Sequence, residues 1–469
     1  MSVPLIVSPS GIRGIVGESM TPELTRRYGV AFGAWIQATG AVGYVILGRD
    51  SRTSGPELSE AASDGLRQAG RNVRMAGLIA TPSLLLAVKE DPAAVAGLMV
   101  TASHNPIEWN GLKLVTSAGR FLTPAEGAEV QKILDDLSGS GPAASTGGQN
   151  GFGSRSEIPG LSDAHVERIL ALGLIDAEAV SARRLKVALD CVHGAGGAIM
   201  PQLLDRLGCE VTAIGLETDG LFPRSPEPTA GNLAELGRLV RDSGADIGLA
   251  VDPDVDRLSL VDEHGRAVGE DWTLAIAAEY VLSRNPGPVV TNLSSSQTIE
   301  DAAVQAGVSF YRTPVGEIRV ALKMAEVGAV IGGEGNGGVM LPDLNLTRDA
   351  PAAAALILSW LAGQEGSFSQ ALAERTQYSM ARRKSARPDM ELTELYDVLE
   401  SEAAPGAVAD RADGLRLAWA ESGQWVHVRP SGTEPIVRIY AEARDDSSVG
   451  RLADWAQQKL AALAGGLSE

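Results

Sequence analysis

Residues 185–207, LKVALDCVHGAGGAIMPQLLDRL, decide the fold. Leu185–Asp190 is a short apolar run of the length expected for a buried strand. A glycine-rich turn follows at Gly194–Gly197, and the chain then takes up helical spacing toward Leu207. Strand, tight turn and helix in that order make one unit of an α/β protein with a largely parallel sheet.

The alternation extends in both directions. Upstream, Thr21 and Pro22 read as the N-cap and first residue of a helix reaching about Ala38. Gly43–Leu47, Asn72–Leu78 and Ala96–Thr101 read as strands. Downstream, Asn232-Leu-Ala-Glu235 reads as a capping box, with Leu233, Leu236 and Val240 at helical spacing. Asp246–Val251, Pro288–Leu293, Ser309–Tyr311 and Ala329–Ile331 continue the strands. The C-terminal stretch differs. Leu415–Ala420, Gln424–Val428 and Ile436–Ala443 follow one another closely before a helix from about Ser447, which is an α+β pattern. Ser138–Ser156 is rich in Gly and Ser without an apolar period, and reads as a linker or loop. The 469 residues suggest three domains, give or take one.

Composition bounds the function. A 44% hydrophobic content rules out a largely disordered chain, and 4% aromatics means cores of Ala, Val, Leu and Ile. The net charge of −19 repels nucleic acid and anionic membranes, so neither is expected as a partner. It leaves room for an anionic small molecule in a site lined by local arginines. Two cysteines, Cys191 and Cys209, read as free thiols in a reducing compartment. The opening MSVPLIVSPSGIRG lacks a leader pattern, and no apolar stretch is long enough to span a bilayer. The expectation is a soluble cytoplasmic enzyme or binding protein.

In open α/β sheets, ligands bind beyond the carboxyl ends of strands. Four polar or glycine-rich clusters stand at such places. Thr101-Ala-Ser-His-Asn-Pro106, with Asn110-Gly-Leu-Lys113 beyond it, offers Ser103 as a nucleophile and His104 or Lys113 for its proton. Taken alone it reads more readily as a Ser/Thr turn stiffened by Asn-Pro. Asp252-Pro-Asp-Val-Asp-Arg257 brings three carboxylates together if the run is extended, which calls for a hard cation such as Mg²⁺. Its spacing also opens an EF-hand, with Glu263 at the twelfth position, but Arg257 stands where that loop needs Gly and Leu258–Val261 is strand-like. The competing reading is three solvated acids in a turn. Gly332-Gly-Glu-Gly-Asn-Gly-Gly338 contains Gly-x-Gly-x-x-Gly, yet no helix opens after it, which removes the dinucleotide reading. Glu334 is there to accept from the hydroxyls of a small ligand such as a sugar; a simple hairpin is the alternative. Arg429-Pro-Ser-Gly-Thr-Glu434, with Arg438 beyond, is an anion nest suited to phosphate, or an ordinary turn. Ser10-Gly-Ile-Arg13-Gly14 and Gly48-Arg-Asp-Ser-Arg52 supply further arginines after turns.

These clusters, in this order over nearly the whole chain, resemble the α-D-phosphohexomutase family. The resemblance implies three mixed α/β sheet domains, 1–150, 157–255 and 256–368, and a C-terminal α+β domain, 369–469, around a central active-site cleft. It implies a phosphoserine at Ser103, with Asp252, Asp254 and Asp256 holding Mg²⁺ together with that phosphate. Phospho-Ser103 then gives its phosphoryl group to a hexose monophosphate, and the 1,6-bisphosphate returns its other phosphate. Lys113 and His104 are the implied proton carriers. Arg13 and Arg257 support the phosphoryl group. Thr313, Gly316, Glu334 and Asn336 meet the sugar. Arg429, Ser431, Gly432, Thr433 and Arg438 hold the phosphate that is not reacting. Glucose or glucosamine 1,6-bisphosphate is the implied activating primer. Bacterial glucosamine and mannose/glucose members carry Gly-Glu-x-Ser-Gly and Thr-Lys-x-Gly-His. Here Asn336 replaces the Ser, and Thr313-Pro-Val-Gly-Glu317 loses a basic residue. Both forms look most like archaeal-type phosphoglucosamine mutases, which implies glucosamine phosphate as substrate, with mannose or glucose phosphate as the alternative. Two other classes compete: a phosphatase using an Asp of the DPDVDR run as nucleophile, and a non-catalytic sugar-phosphate sensor.

Overall fold

The computed structural model describes residues 5–8, 11–139, 151–431 and 436–465. Four sheets follow one another along the chain. The first has seven strands. At its centre Tyr44–Arg49 lies parallel to Asn72–Leu78 and Ala94–Val100, while Trp109–Thr116 and Gly11–Ile15 add antiparallel. Its first helix, Pro22–Ala38, begins as the sequence indicates, with the Thr21 side chain accepting from the Leu24 N–H.

The second sheet carries Lys186–Asp190 parallel to Glu210–Ile214 and Ile247–Val251, closed by antiparallel Leu258–Asp262. The third carries Val289–Asn292 parallel to Phe310–Thr313 and Ile331–Glu334, with antiparallel Gly338–Met340. These two units share one apolar core. The helix Ala350–Ala362 is the reason: it is apolar apart from Ser359 and buried from Ala350 to Leu361, so it has no solvent face to turn outward. The fourth sheet is antiparallel, five strands from Ser379–Ala386 to Val408–Asp410. Helices Leu392–Ser401 and Asp446–Gly465 share its core.

Several local expectations change. Asn232 forms no capping box with Glu235. Its amide donates instead to Glu227 O and Thr229 Oγ1, and the helix Ala234–Ser243 starts without a side-chain cap. The strand expected at Ala329–Ile331 is Ile331–Glu334, because Gly328 and Ala329 are still closing the preceding helix: the Ala329 N–H bonds Met324 O. Asn110–Lys113, which the sequence assigns to no element, lies within the strand Trp109–Thr116. Leu258–Asp262 pairs with Ile247–Val251, so a boundary at 255/256 cuts a hairpin. Within Ser138–Ser156, residues 140–150 lie outside the described residues, and Arg155–Glu157 is a short strand on the first sheet.

Candidate active site

The Ser103 loop is the connection between antiparallel strands Ala94–Val100 and Trp109–Thr116. Ser103 sits at φ +50, a left-handed conformation unusual for a residue with a Cβ. Its N–H donates to Thr101 Oγ1 at 2.9 Å, and its Oγ donates to Asp252 Oδ2 at 2.7 Å across the interface of the first two sheets.

The three aspartates converge, but by a turn and not by the pleat of an extended strand. Val255 takes φ +64, its N–H bonds Asp252 O, and Asp252 Oδ1 accepts from the N–H groups of Asp256 and Arg257. Oxygens of all three carboxylates come within 4.8 Å of one another, fully buried. Lys113 Nζ donates to Asp254 Oδ2 at 2.7 Å and Asp256 Oδ2 at 3.1 Å, and Thr81 Oγ1 donates to Asp254 Oδ2 at 2.6 Å. Asp254 Oδ1 and Asp256 Oδ1 are left buried without a hydrogen-bond partner. Burial, then repulsion from Asp256 and Asp254, pushes the Asp252 carboxyl well above its ordinary value. For Asp256 the burial penalty is overruled by Arg348, Lys113 and Arg257, which hold it below the usual range. Burial would likewise depress the Lys113 ammonium, but Asp254 and Asp256 keep it above its ordinary value, so it is charged at neutral pH. Hard carboxylate oxygens, two of them unsatisfied, fit a cation such as Mg²⁺.

Around Ser103 stand the other expected groups. His104 Nδ1 lies 3.4 Å from Ser103 Oγ. Burial, then the charges of Arg257 and Arg13, pushes its pKa well below the ordinary value, so it is a neutral imidazole at neutral pH; a side chain 26% exposed moderates the burial effect. Arg13 Nη1 donates to Asn105 Oδ1 at 2.9 Å; burial lowers its pKa to about 10, which leaves it cationic. Arg257 Nη1 donates to Glu227 Oε1 at 2.9 Å.

The glycine-rich segment is a hairpin between Ile331–Glu334 and Gly338–Met340, and the next helix starts at Ala350, as its sequence context indicates. Glu334 is buried and already engaged. Its Oε1 accepts from Asn292 Nδ2 (3.0 Å) and the Gly316 N–H (3.1 Å), and its Oε2 from Arg348 Nη1 (3.0 Å). Gly316 reaches it at φ +131, which a side chain would resist. Asn336 Nδ2 approaches Oε2 at 3.5 Å. Thr313 ends its strand with the hydroxyl turned back to Pro314 O.

Arg348 is the residue that sequence reading missed. Its guanidinium reaches Asp256 (2.6 Å), Glu334 (3.0 Å) and Glu317 (3.1 Å), joining the aspartate turn, the glycine hairpin and the 313–317 loop. Glu317, the acid in place of a basic residue, also accepts from Thr347 Oγ1 and the Arg348 N–H. The only available cue was an excess of carboxylates with no cation assigned to them.

In the fourth unit, Arg429 and Arg438 stand directly opposite on neighbouring strands, and Lys384 stands opposite Arg438 on the next. Like charges in register are unfavourable unless an anion serves them. Arg429 forms an ion pair with Asp413 at 3.0 Å, and Asp413 Oδ2 accepts from the Val315 N–H at 2.9 Å, next to Gly316. Ser431 closes the strand end through Ile436 O. Gly432 and Thr433 lie outside the described residues.

Domains I, II and III of phosphoglucomutase/phosphomannomutase, each described as alpha/beta/alpha, match residues 5–139, 163–265 and 269–378, and the C-terminal domain of the same family matches 380–456. The chain belongs to this family of mutases. A probable phosphoglucosamine mutase of Methanopyrus kandleri is 36% identical over 95% of both chains. A phosphoglucomutase/phosphomannomutase of Thermococcus kodakarensis is 35% identical over 93% of this chain and 94% of its own. The crystal structure of a phosphoglucomutase/phosphomannomutase family protein from Burkholderia thailandensis, 28% identical, superposes with a TM-score of 0.83 over 98% of this chain and 99% of that one. Among the described residues, no helix is long and apolar enough to cross a membrane.

Proposed function

We propose that this mutase is a phosphoglucosamine mutase, interconverting glucosamine 6-phosphate and glucosamine 1-phosphate, with Ser103 as the phosphoryl carrier. The observation that carries the reading is the Ser103 hydroxyl, held 2.7 Å from Asp252 at the edge of a buried aspartate cluster with unsatisfied oxygens. Phosphoryl transfer breaks the bond from phosphorus to Ser103 Oγ and forms one to a free sugar hydroxyl, giving the 1,6-bisphosphate. The hydroxyl proton passes to a base, a role we give to neutral His104. On return, the other phosphate moves to Ser103 and a proton is restored to the sugar oxygen. Lys113, charged and buried, faces the same transfer.

Asp252, Asp254 and Asp256, with an oxygen on Ser103, would hold Mg²⁺. Bound there, Mg²⁺ supplies neutralisation of charge on the transferring phosphoryl group. Arg13 and Arg257 orient that group. Thr313, Gly316, Glu334 and Asn336 face the sugar, with Glu334 oriented by Arg348. Arg429, Ser431, Gly432, Thr433 and Arg438 take the idle phosphate, and Asp413 yields Arg429 to it. Glucose or glucosamine 1,6-bisphosphate would prime an unphosphorylated enzyme. The two free cysteines support a reducing, cytoplasmic setting.

The sugar is argued from the Asn336 and Glu317 substitutions and from the name of the M. kandleri relative. The T. kodakarensis relative's name favours glucose or mannose phosphate as the second reading. Side-by-side turnover of glucosamine, glucose and mannose phosphates tests it. The highest kcat/KM is expected for glucosamine phosphate, and a higher value for either other sugar overturns the assignment.

A further inference from the structure

Arg52 lies outside the reacting groups, yet it grips the loop that carries Ser103. It is 0% exposed. Its Nη2 donates to Ser103 O and Asn105 O, both at 2.6 Å, and its Nη1 to Pro106 O at 2.7 Å and Trp109 O at 2.8 Å. Its Nε donates to Asp50 Oδ2 at 3.2 Å. All five guanidinium donors are thereby used, three of them on carbonyls of the Ser103 loop and one on the first residue of the strand that follows it. Asp50 Oδ2 also accepts from Thr101 Oγ1 at 2.6 Å, and Thr101 Oγ1 accepts from the Ser103 N–H at 2.9 Å. Ser103 is thus held on its carbonyl side by Arg52 and on its amide side by Thr101, in a left-handed conformation that costs energy and needs such restraint.

We infer that Arg52, acting with Thr101 through Asp50, is a positioning residue that sets the Ser103 nucleophile for in-line transfer. The inference rests on the phosphoserine reading above. Arg52 touches neither sugar nor phosphate, so its loss acts on kcat and leaves KM almost alone. Lysine cannot replace it, since a point charge with three donors lacks the planar fork.

The test uses the full-length enzyme with ³²P-labelled glucose 1,6-bisphosphate, which labels Ser103 and counts competent sites. Failure of the wild-type enzyme to label Ser103 refutes the phosphoserine reading, whatever the variants do. With that label in place, Arg52→Lys is expected to lower kcat per labelled site by about a hundredfold, the scale of a 1 Å misplacement, with KM within about twofold. Thr101 gives a second measurement should Arg52→Lys fold poorly. Thr101→Val keeps the shape and loses the hydroxyl; Thr101→Ser keeps the hydroxyl and loses the methyl. Positioning requires Val to be slow and Ser close to wild type, whereas a packing role reverses the order. Wild-type kcat per labelled site in Thr101→Val, or Ser slower than Val, overturns the inference.

Discussion

Replacing Arg348 with Met should loosen the joint between the second and third units. The guanidinium serves three carboxylates, at 2.6, 3.0 and 3.1 Å, and is itself 5% exposed. Removing one partner of a buried ion pair costs about 3–5 kcal/mol, since the remaining charge stays buried and unpaired. Asp256 keeps Lys113, and Glu334 keeps Asn292 and the Gly316 N–H. Glu317 loses its ion pair with Arg348 and keeps only the more distant Lys113; burial already raises its pKa, which favours uptake of a proton and recovery of part of the cost. The lower end, about 3 kcal/mol, is therefore expected, or on the order of a hundredfold at 1.36 kcal/mol per tenfold. Hydrogen exchange in Ala350–Ala362 reports it, because this buried helix follows Arg348 directly and seals the shared core. Its protection should fall by about that factor. Glu317→Gln combined with Arg348→Met should lose less than the two single changes added, by roughly 1 kcal/mol or more, since the two side chains touch. Protection unchanged in Arg348→Met, or strict additivity in the pair, would refute the view of Arg348 as the charge that balances the three loops.

The other expectations concern the reaction and pH. Ser103→Ala should abolish turnover without altering the thermal midpoint by more than a few degrees; retention of mutase activity with a bisphosphate primer removes Ser103 from the mechanism. Asp254→Asn should raise the Mg²⁺ concentration needed for half-maximal activity at least about tenfold, since one of three converging charges is gone; an unchanged requirement refutes the three-aspartate site. Asp271, buried beneath the glycine hairpin, has its pKa pushed up to about 7 chiefly by burial, against 3.8 unperturbed. The folded state therefore holds a proton that the unfolded chain has lost. The contribution of Asp271 to stability falls between about pH 4 and pH 7, by on the order of 1.4 kcal/mol for each tenfold drop in proton concentration, and is level above. Asp271→Asn keeps an oxygen for the Ser296 N–H, 2.7 Å away, and should become progressively more stable than wild type across that range. A pH-independent difference in thermal midpoint contradicts this.

The chain's own pattern determined the α/β units, the change to α+β after the third unit, and the four chemical clusters. These are local properties: strand and helix periods, turn residues, and reactive side chains just beyond strand ends. Thr21 capping Pro22–Ala38 and the strand Leu258–Asp262 after the aspartates needed only neighbouring residues. The convergence of Asp252, Asp254 and Asp256 was legible, but its cause was not, because the left-handed turn at Val255 depends on the carboxylate of Asp252 folding back on two N–H groups. Only the tertiary structure decided which charge answers which. Arg348 meets residues 92, 31 and 14 positions away, Arg52 meets Ser103 from 51 positions away, and Asp413 meets Val315 from 98. A buried ion finds its partner by proximity in space and by exclusion of water, and neither is written in the spacing of residues along a chain.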